Sequence, residues 1–360
     1  MTDPTQKSIK GRGALSRPRV RFDAWSREAD GDHLDYALEN EELPPLRTEV
    51  RIDPARTIIS YNESPDIPFD RSINPYKGCE HGCIYCYARP SHAYLGLSPG
   101  LDFETKLFYK DNAPELLGKE LTKPSYRPQV IALGANTDPY QPIEKELGVT
   151  RSILEELNEF HHPVSIVTKS AMVERDIDIL AAMAKRNLAR VFLSITTLDH
   201  EISRHLEPRT SAPARRMEAV RTLSAAGVPT GVIVAPVIPA LTDKDIEAVL
   251  EAAKDSGAES ADYVVVRLPF EVKTLFVEWL EEHFPQRAGH VMSIIRQMRG
   301  GRDNDPNFGS RMRGEGEFAN LLKMRFDIAC RRLGLNRERP PLDCSQFKAP
   351  SRTAAQLSLF

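Results

Sequence analysis

Cysteine is scarce in this chain of 360 residues: there are five, and three of them fall between Cys79 and Cys86. An odd, clustered set is not a disulfide framework, and it points to a reducing, intracellular compartment. Long hydrophobic runs are lacking as well. The most apolar stretch, residues 231–241, is too short to cross a bilayer and is interrupted by Pro236 and Pro239. The first thirty residues carry Lys7, Lys10, Arg12, Arg17, Arg19 and Arg21 without the apolar core of a secretory leader. A cytoplasmic protein with no membrane partner is therefore expected. Charge of one sign is not in excess either: 48 Lys and Arg stand against 51 Asp and Glu, a net charge of -3. That excludes a global pull toward nucleic acid or a membrane surface, while leaving room for a local basic patch. No internal repeat of 20–50 residues is evident, which excludes a solenoid.

What the chain does contain is enough apolar residue for a sizeable core, 41% of the total, with 28% charged. Its length suits two ordinary domains or one large α/β barrel with extensions. Residues 1–64 are polar, charged and Pro-rich, and the first twenty bury too little to offset the entropy of ordering them. Trp25, Leu34 and Tyr36 are positions where part of this extension would dock. From residue 70 onward β-branched runs alternate with amphipathic helices. Strands are expected near residues 71–76, 129–133, 163–168, 190–195, 230–235 and 262–268. Helices are expected over residues 113–121, 150–160, 176–185, 213–226, 243–256, 272–284, 291–298 and 316–333, with Thr242 as an N-cap. Near-continuous β-branched strands indicate a parallel sheet buried on both faces, and repeated βα units give a doubly wound sheet or a barrel.

The chemistry is concentrated in Asn74-Pro-Tyr-Lys-Gly-Cys79 and the residues that follow it. Cys79, Cys83 and Cys86 have the spacing C-x3-C-x2-C. Thiolates are soft ligands for iron–sulfur clusters or zinc. A four-iron cluster usually takes four cysteines, so three would leave one iron open to a small molecule. Gly78 and Gly82 suit a backbone wrapped closely around a metal group. The alternative is a structural zinc site with His81 as fourth ligand, although zinc sites normally pair knuckles separated in sequence.

With Tyr85 before the last cysteine, the motif resembles the radical S-adenosylmethionine (SAM) signature. Further stretches resemble the branch related to spore photoproduct lyase, often labelled DNA repair photolyase-like. They are Tyr85-Cys-Tyr-Ala-Arg89, Asn136-Thr-Asp-Pro-Tyr-Gln-Pro142, Thr168-Lys-Ser170, Glu207-Pro-Arg209 and Val234-Ala-Pro-Val-Ile-Pro239. The resemblance covers roughly residues 65–303. It implies an α/β fold, a partial (β/α)6 TIM-like barrel, with an N-terminal extension (1–64), a core (65–303) and a C-terminal helical and Pro-rich segment (304–360).

It further implies a [4Fe–4S] cluster on Cys79, Cys83 and Cys86, and S-adenosylmethionine chelated to the open iron. One electron from a flavodoxin- or ferredoxin-type reductant then gives methionine and a 5′-deoxyadenosyl radical that abstracts hydrogen from substrate. Contacts to SAM are expected from Thr137 and Asp138 (amino group), Lys169 and Arg209 (carboxylate), Ser194 (methionine or ribose) and Tyr85 (adenine). Plainer readings stand beside these: an Asx turn at Asp138 before Pro139, a solvated strand end at Lys169, and water exclusion by Tyr85.

One departure matters. Spore photoproduct lyase returns hydrogen from a further cysteine after the second strand; here that stretch is Ala135-Asn136-Thr137, and no cysteine lies between Cys86 and Cys330. Cys330 reads as core. Cys344, in a tail that could fold over the barrel mouth, is a candidate donor or substrate contact. Residues 296–339 are locally basic, with Arg299, Arg302, Arg311, Arg313, Arg325, Arg331, Arg332, Arg337 and Arg339. Interspersed acids make a phosphate-binding face and a self-paired surface equally reasonable. The expected activity is radical modification or repair, with a nucleic acid as possible substrate. A protein or small metabolite is the alternative substrate, and a non-catalytic zinc or iron–sulfur protein the alternative class. A monomer is expected.

Overall fold

The computed structural model describes residues 9–22 and 46–349. Trp25, Leu34 and Tyr36 lie outside the described residues. Ten strands run in chain order: β1 (Glu49–Ile52), β2 (Ile59–Tyr61), β3 (Arg71–Ile73), β4 (Tyr76–Lys77), β5 (Lys106–Tyr109), β6 (Ile131–Leu133), β7 (Val164–Thr168), β8 (Ala189–Ser194), β9 (Thr230–Val237) and β10 (Ser260–Val265). The main sheet has the order β10-β9-β8-β7-β6-β3-β2. Its six strands from β3 to β10 pair in parallel, each with the next in sequence, while β2 is antiparallel on the β3 edge. A doubly wound sheet would reverse direction at a switch point; this order never reverses, so the sheet curls as a barrel does. Nothing pairs β10 with β3 or β2. The barrel is therefore partial and open.

Between the strands lie α1 (Leu101–Thr105), α2 (Ala113–Leu121), α3 (Glu144–Leu147), α4 (Val149–Glu159), α5 (Ile177–Ala184), α6 (His200–Leu206), α7 (Pro213–Ala225), α8 (Ile246–Asp255), α9 (Glu271–His283), α10 (Pro285–Gln297) and α11 (Gly316–Leu333). The apolar faces of α4 and α8 (Ile153, Leu154, Leu157; Ile246, Val249, Leu250) join the buried strand residues Val164, Ile166, Val191, Leu193, Val232 and Val234 in the main core. A second apolar cluster lies beneath the cysteine loop. There Ile84, Tyr85 and Leu206 meet Val266, Leu268, Phe276, Trp279 and Ile295.

Several expectations need revision. Residues 103–105 close the unanticipated α1 before the chain turns into β5. After the last cysteine of the loop the chain forms a 3-10 turn, Arg89–Leu95. The segment α6 was not anticipated; it starts where the Asp199 carboxylate accepts from the N–H groups of Glu201 and Ile202. Thr242 is not a cap, because its hydroxyl accepts from Ile238 N at 2.9 Å and a 3-10 turn intervenes before α8. Residues 9–22 are not loose. Ala14 is fully buried, and Gly13 N and Ala14 N donate to the Glu104 carboxylate at 3.1 and 2.9 Å. Finally, the described part of the Pro-rich tail, up to residue 349, lies away from the barrel mouth. Asp343 N donates to Asn187 O at 3.0 Å and Lys348 N to Phe160 O at 3.0 Å, both at the N-terminal ends of the strands.

Candidate active site at the cysteine loop

Ligand-binding groups of a parallel barrel collect at the C-terminal ends of its strands, and the cysteine loop is built there. The small sheet β1-β5-β4 feeds the chain out of β4 into the loop. Backbone bonds then fix its path: Cys79 N to Phe103 O (2.9 Å), Ile84 N to Leu206 O (3.1 Å), and Cys86 N to Cys83 O (3.2 Å). Gly78 lies at φ +79°, and a Cβ there would stand 2.7 Å from Leu107 Cδ2 and 2.9 Å from Phe103 O. The loop passes where only glycine fits.

A buried ion pair holds the loop from inside. Arg89 is fully buried and donates to Cys83 O (2.9 Å), Gly82 O (3.0 Å), Gly100 O (3.0 Å) and Glu104 Oε1 (2.5 Å). Glu104 in turn accepts from the N-terminal segment. Every donor on this pair thus has a partner, which is the condition for a buried charge pair to be tolerated. Gly13 runs so close that a Cβ would lie 1.8 Å from Gly82 O.

Cys79, Cys83 and Cys86 are all free thiols, and burial raises each of them above the ordinary cysteine range. Cys79 is raised further by the nearby Asp138 carboxylate and by Cys83 and Cys86. Among the described residues no three His, Cys, Asp or Glu side chains already surround one metal-ion position. The fit to an iron–sulfur group rests on donor chemistry instead. Three soft donors on one loop, shielded from water and mutually repelling as thiolates, are stabilised once positive metal lies between them. His81 faces elsewhere, with Nδ1 3.3 Å from Asp138 Oδ2.

The strand ends bring most of the expected contact residues to this loop. Lys169, immediately after β7, points its Nζ at Ser194 Oγ on β8 and at Ala235 O on β9 (3.1 Å), with Glu207 Oε1 3.5 Å away. The same ammonium lies 5.7 Å from the Tyr85 ring centroid. The Tyr85 hydroxyl donates to Glu207, which also accepts from Thr196 Oγ1 (2.7 Å) and pairs with the fully buried Arg216. Burial alone would raise the Glu207 carboxyl, but Arg216 and Lys169 outweigh it and hold the pKa at about 2.

Asp138 is spoken for by protein groups. It accepts from Thr168 Oγ1 (2.7 Å), Lys169 N (2.7 Å) and Tyr140 N (2.9 Å), the last closing an Asx turn. Burial raises its carboxyl, yet His81 and these donors keep it below the usual carboxylate range. Thr137 Oγ1 donates to Tyr76 O at 2.9 Å, and Arg209 pairs with Glu80 at 3.1 Å while its own N–H reaches His81 O. Asp138, Thr137 and Arg209 thus brace the loop.

Cys330 is buried on α11, in the main core. Cys344 lies beside Val130 and Arg71, at the opposite ends of the strands from the cysteine loop. Neither is part of the site. Four participants went unread in the sequence: Arg89, Glu104, Glu207 and Arg216. Arg89 and Glu207 stand inside the motif stretches, so their signal was present. Glu104 and Arg216 carry none, because a charged residue on an amphipathic segment reads as solvent-facing.

Comparison with known proteins agrees with this geometry. Residues 73–253 match the family model described as the Radical SAM superfamily. An uncharacterized protein of Mycobacterium tuberculosis is 34% identical over 233 residues, covering 64% of this chain and 68% of that protein. Another, from Methanocaldococcus jannaschii, is 28% identical over 59% of this chain and 76% of its own length. Among solved structures, spore photoproduct lyase complexed with dinucleoside spore photoproduct superposes with a TM-score of 0.57 at 17% identity, over 79% of this chain and 80% of that one. A mutant of the same lyase, with bound AdoMet, gives a TM-score of 0.55. The fold is the one those lyases share, and with its cysteine loop at the strand ends the chain belongs to the radical SAM superfamily.

Proposed function

We propose that this radical SAM enzyme holds one [4Fe–4S] cluster on Cys79, Cys83 and Cys86, and modifies or repairs a nucleic acid. When bound, cluster and S-adenosylmethionine supply a 5′-deoxyadenosyl radical on receipt of one electron from a flavodoxin- or ferredoxin-type donor. The observation that carries the reading is the meeting, at the C-terminal strand ends, of three free thiols, Cys79 and Cys83 buried and Cys86 partly so, with the Lys169–Ser194–Glu207–Tyr85 group.

The chain's own residues divide the remaining work. Lys169, a mobile point charge beside Glu207, would pair with the SAM carboxylate, and Ser194 would offer its hydroxyl beside it. Tyr85, 8% exposed, closes the site against water, its ring anchored by Glu207. Asp138 fixes the backbone N–H of Lys169 and so positions that side chain, while Thr137 and Arg209 hold the cysteine loop that would receive the SAM amino group. The nucleic-acid reading draws on the fold shared with a lyase whose structure holds a dinucleoside photoproduct. The cysteine that returns hydrogen in that resemblance is absent here, so the reaction uses another donor.

The test is anaerobic reconstitution with iron and sulfide, followed by reductant, SAM and single-stranded DNA or RNA. Formation of 5′-deoxyadenosine accelerated by the nucleic acid supports the reading. Production indifferent to nucleic acid but accelerated by a peptide or metabolite moves the substrate to the other class.

A further inference from the structure

At the mouth of the open barrel, the Arg267 guanidinium makes no direct ion pair among the described residues. Arg267 lies two residues beyond β10. Its Nη1 contacts Met312 Sδ at 3.7 Å, its guanidinium lies 5.5 Å from the Tyr87 ring centroid, and its buried Nε has no hydrogen-bond partner. The nearest acid, Asp66, is held bidentately by Arg311 at 2.7 and 2.6 Å. Arg299 is likewise committed, to Ser310 O and Val266 O, both at 3.0 Å. Burial and the charge of Arg311 both disfavour the Arg267 cation. An unsatisfied guanidinium in such a place is costly unless an anion completes it.

The surroundings say which anion. Tyr87 follows Cys86 directly and its hydroxyl donates to Ala135 O beyond β6, so the ring spans from the cysteine loop between the end of β6 and Arg267 beyond the edge strand β10. It is 47% exposed; Phe308, with Arg311 stacked 4.6 Å from its centroid, is 57% exposed. A planar fork suits phosphate bidentately, and exposed rings beside it suit a base. We propose that Arg267 receives a phosphate of the substrate, with the free faces of Tyr87 and Phe308 stacking an unpaired nucleobase attached to it.

This rests on the nucleic-acid reading above, but it is tested by binding alone, on reconstituted protein without added SAM or reductant. The probe is a labelled single-stranded oligothymidylate followed by fluorescence anisotropy, with thymidine 5′-monophosphate and inorganic phosphate as competitors to separate polymer, free nucleotide and bare anion. Arg267→Gln is expected to bind the strand about ten- to a hundred-fold more weakly and to reduce the slope of log affinity against log salt by about 0.7. Arg267→Lys should keep the slope and recover part of the affinity, which also guards against a misfolded glutamine variant. Tyr87→Leu should lose affinity at unchanged slope, and Arg332→Gln, at a remote surface pair, should match the native protein. Unchanged affinity and slope in Arg267→Gln, equal affinity for the same oligothymidylate annealed to oligoadenylate, or no binding of any probe by the native protein would each overturn the proposal. Failure at Arg267 alone leaves nucleic-acid acceleration of 5′-deoxyadenosine formation intact, whereas native protein that binds no probe and shows no such acceleration fails the nucleic-acid reading itself, so the two failures are distinguishable.

Discussion

Arg89 and Glu104 show how a single buried pair sets the shape of the cysteine loop. Both side chains are wholly inaccessible, and between them they serve two loop carbonyls and two N-terminal amides. Glu104→Gln leaves a buried guanidinium without its charge partner, and a loss of about 3–5 kcal/mol is expected as a lowered denaturant midpoint. Arg89→Met combined with Glu104→Leu removes both charges but leaves the buried carbonyls of Gly82, Cys83 and Gly100 and the amides of Gly13 and Ala14 without partners, so it should cost at least as much as Glu104→Gln alone. Lys169→Met should bind SAM about tenfold more weakly with iron content unchanged, measured by equilibrium dialysis on reconstituted protein. The three thiols were legible because their spacing is short and local. Arg216 was not, since its partner Glu207 is nine positions away across a turn and only the fold shows that the pair is buried.

At the scale of elements, strands and helices were legible wherever an apolar period was uninterrupted: Ala113–Leu121 and Gly316–Leu333 have the expected limits. The failures have local causes. The seven-residue α6 is too short to display a period and is set by its Asp199 cap. The N-terminal segment is anchored where Gly13 N and Ala14 N donate to the Glu104 carboxylate and Arg12 donates to Glu104 O, contacts that composition does not reveal. The cysteine loop depends on Gly78 for both its positive φ and its close approach to Leu107 and Phe103. Gly78→Ala should therefore fold with the barrel intact by circular dichroism yet retain less iron per chain after reconstitution.

For the whole molecule, an open sheet places one mouth at the cysteine loop and leaves the tail at the other end. The locally basic segment is largely self-paired: Arg296 with Asp303, Arg313 with Asp262, Arg325 with Glu247, Arg332 with Glu251 and Arg339 with Glu259. Exposed pairs of this kind contribute little to stability. Among the described residues no helix is long and apolar enough to cross a membrane. Global stability should depend on two buried histidines, His92 and His162, each pushed by burial from 6.5 to about 4. The native state keeps them neutral while the unfolded chain takes up protons below 6.5. Stability is thus fully present above that pH and falls towards pH 4, each contributing a slope of up to about 1.4 kcal/mol per pH unit. Denaturation across that range, with His92→Gln expected to flatten the slope, checks the assignment.

The account turns on whether Cys79, Cys83 and Cys86 hold a cluster that lets the chain cleave SAM. Anaerobically reconstituted protein, given dithionite and SAM, should yield 5′-deoxyadenosine and methionine in equal amounts, and Cys83→Ala should bind little iron and yield neither. Native protein that takes up no iron, or takes it up and never forms 5′-deoxyadenosine, would contradict it.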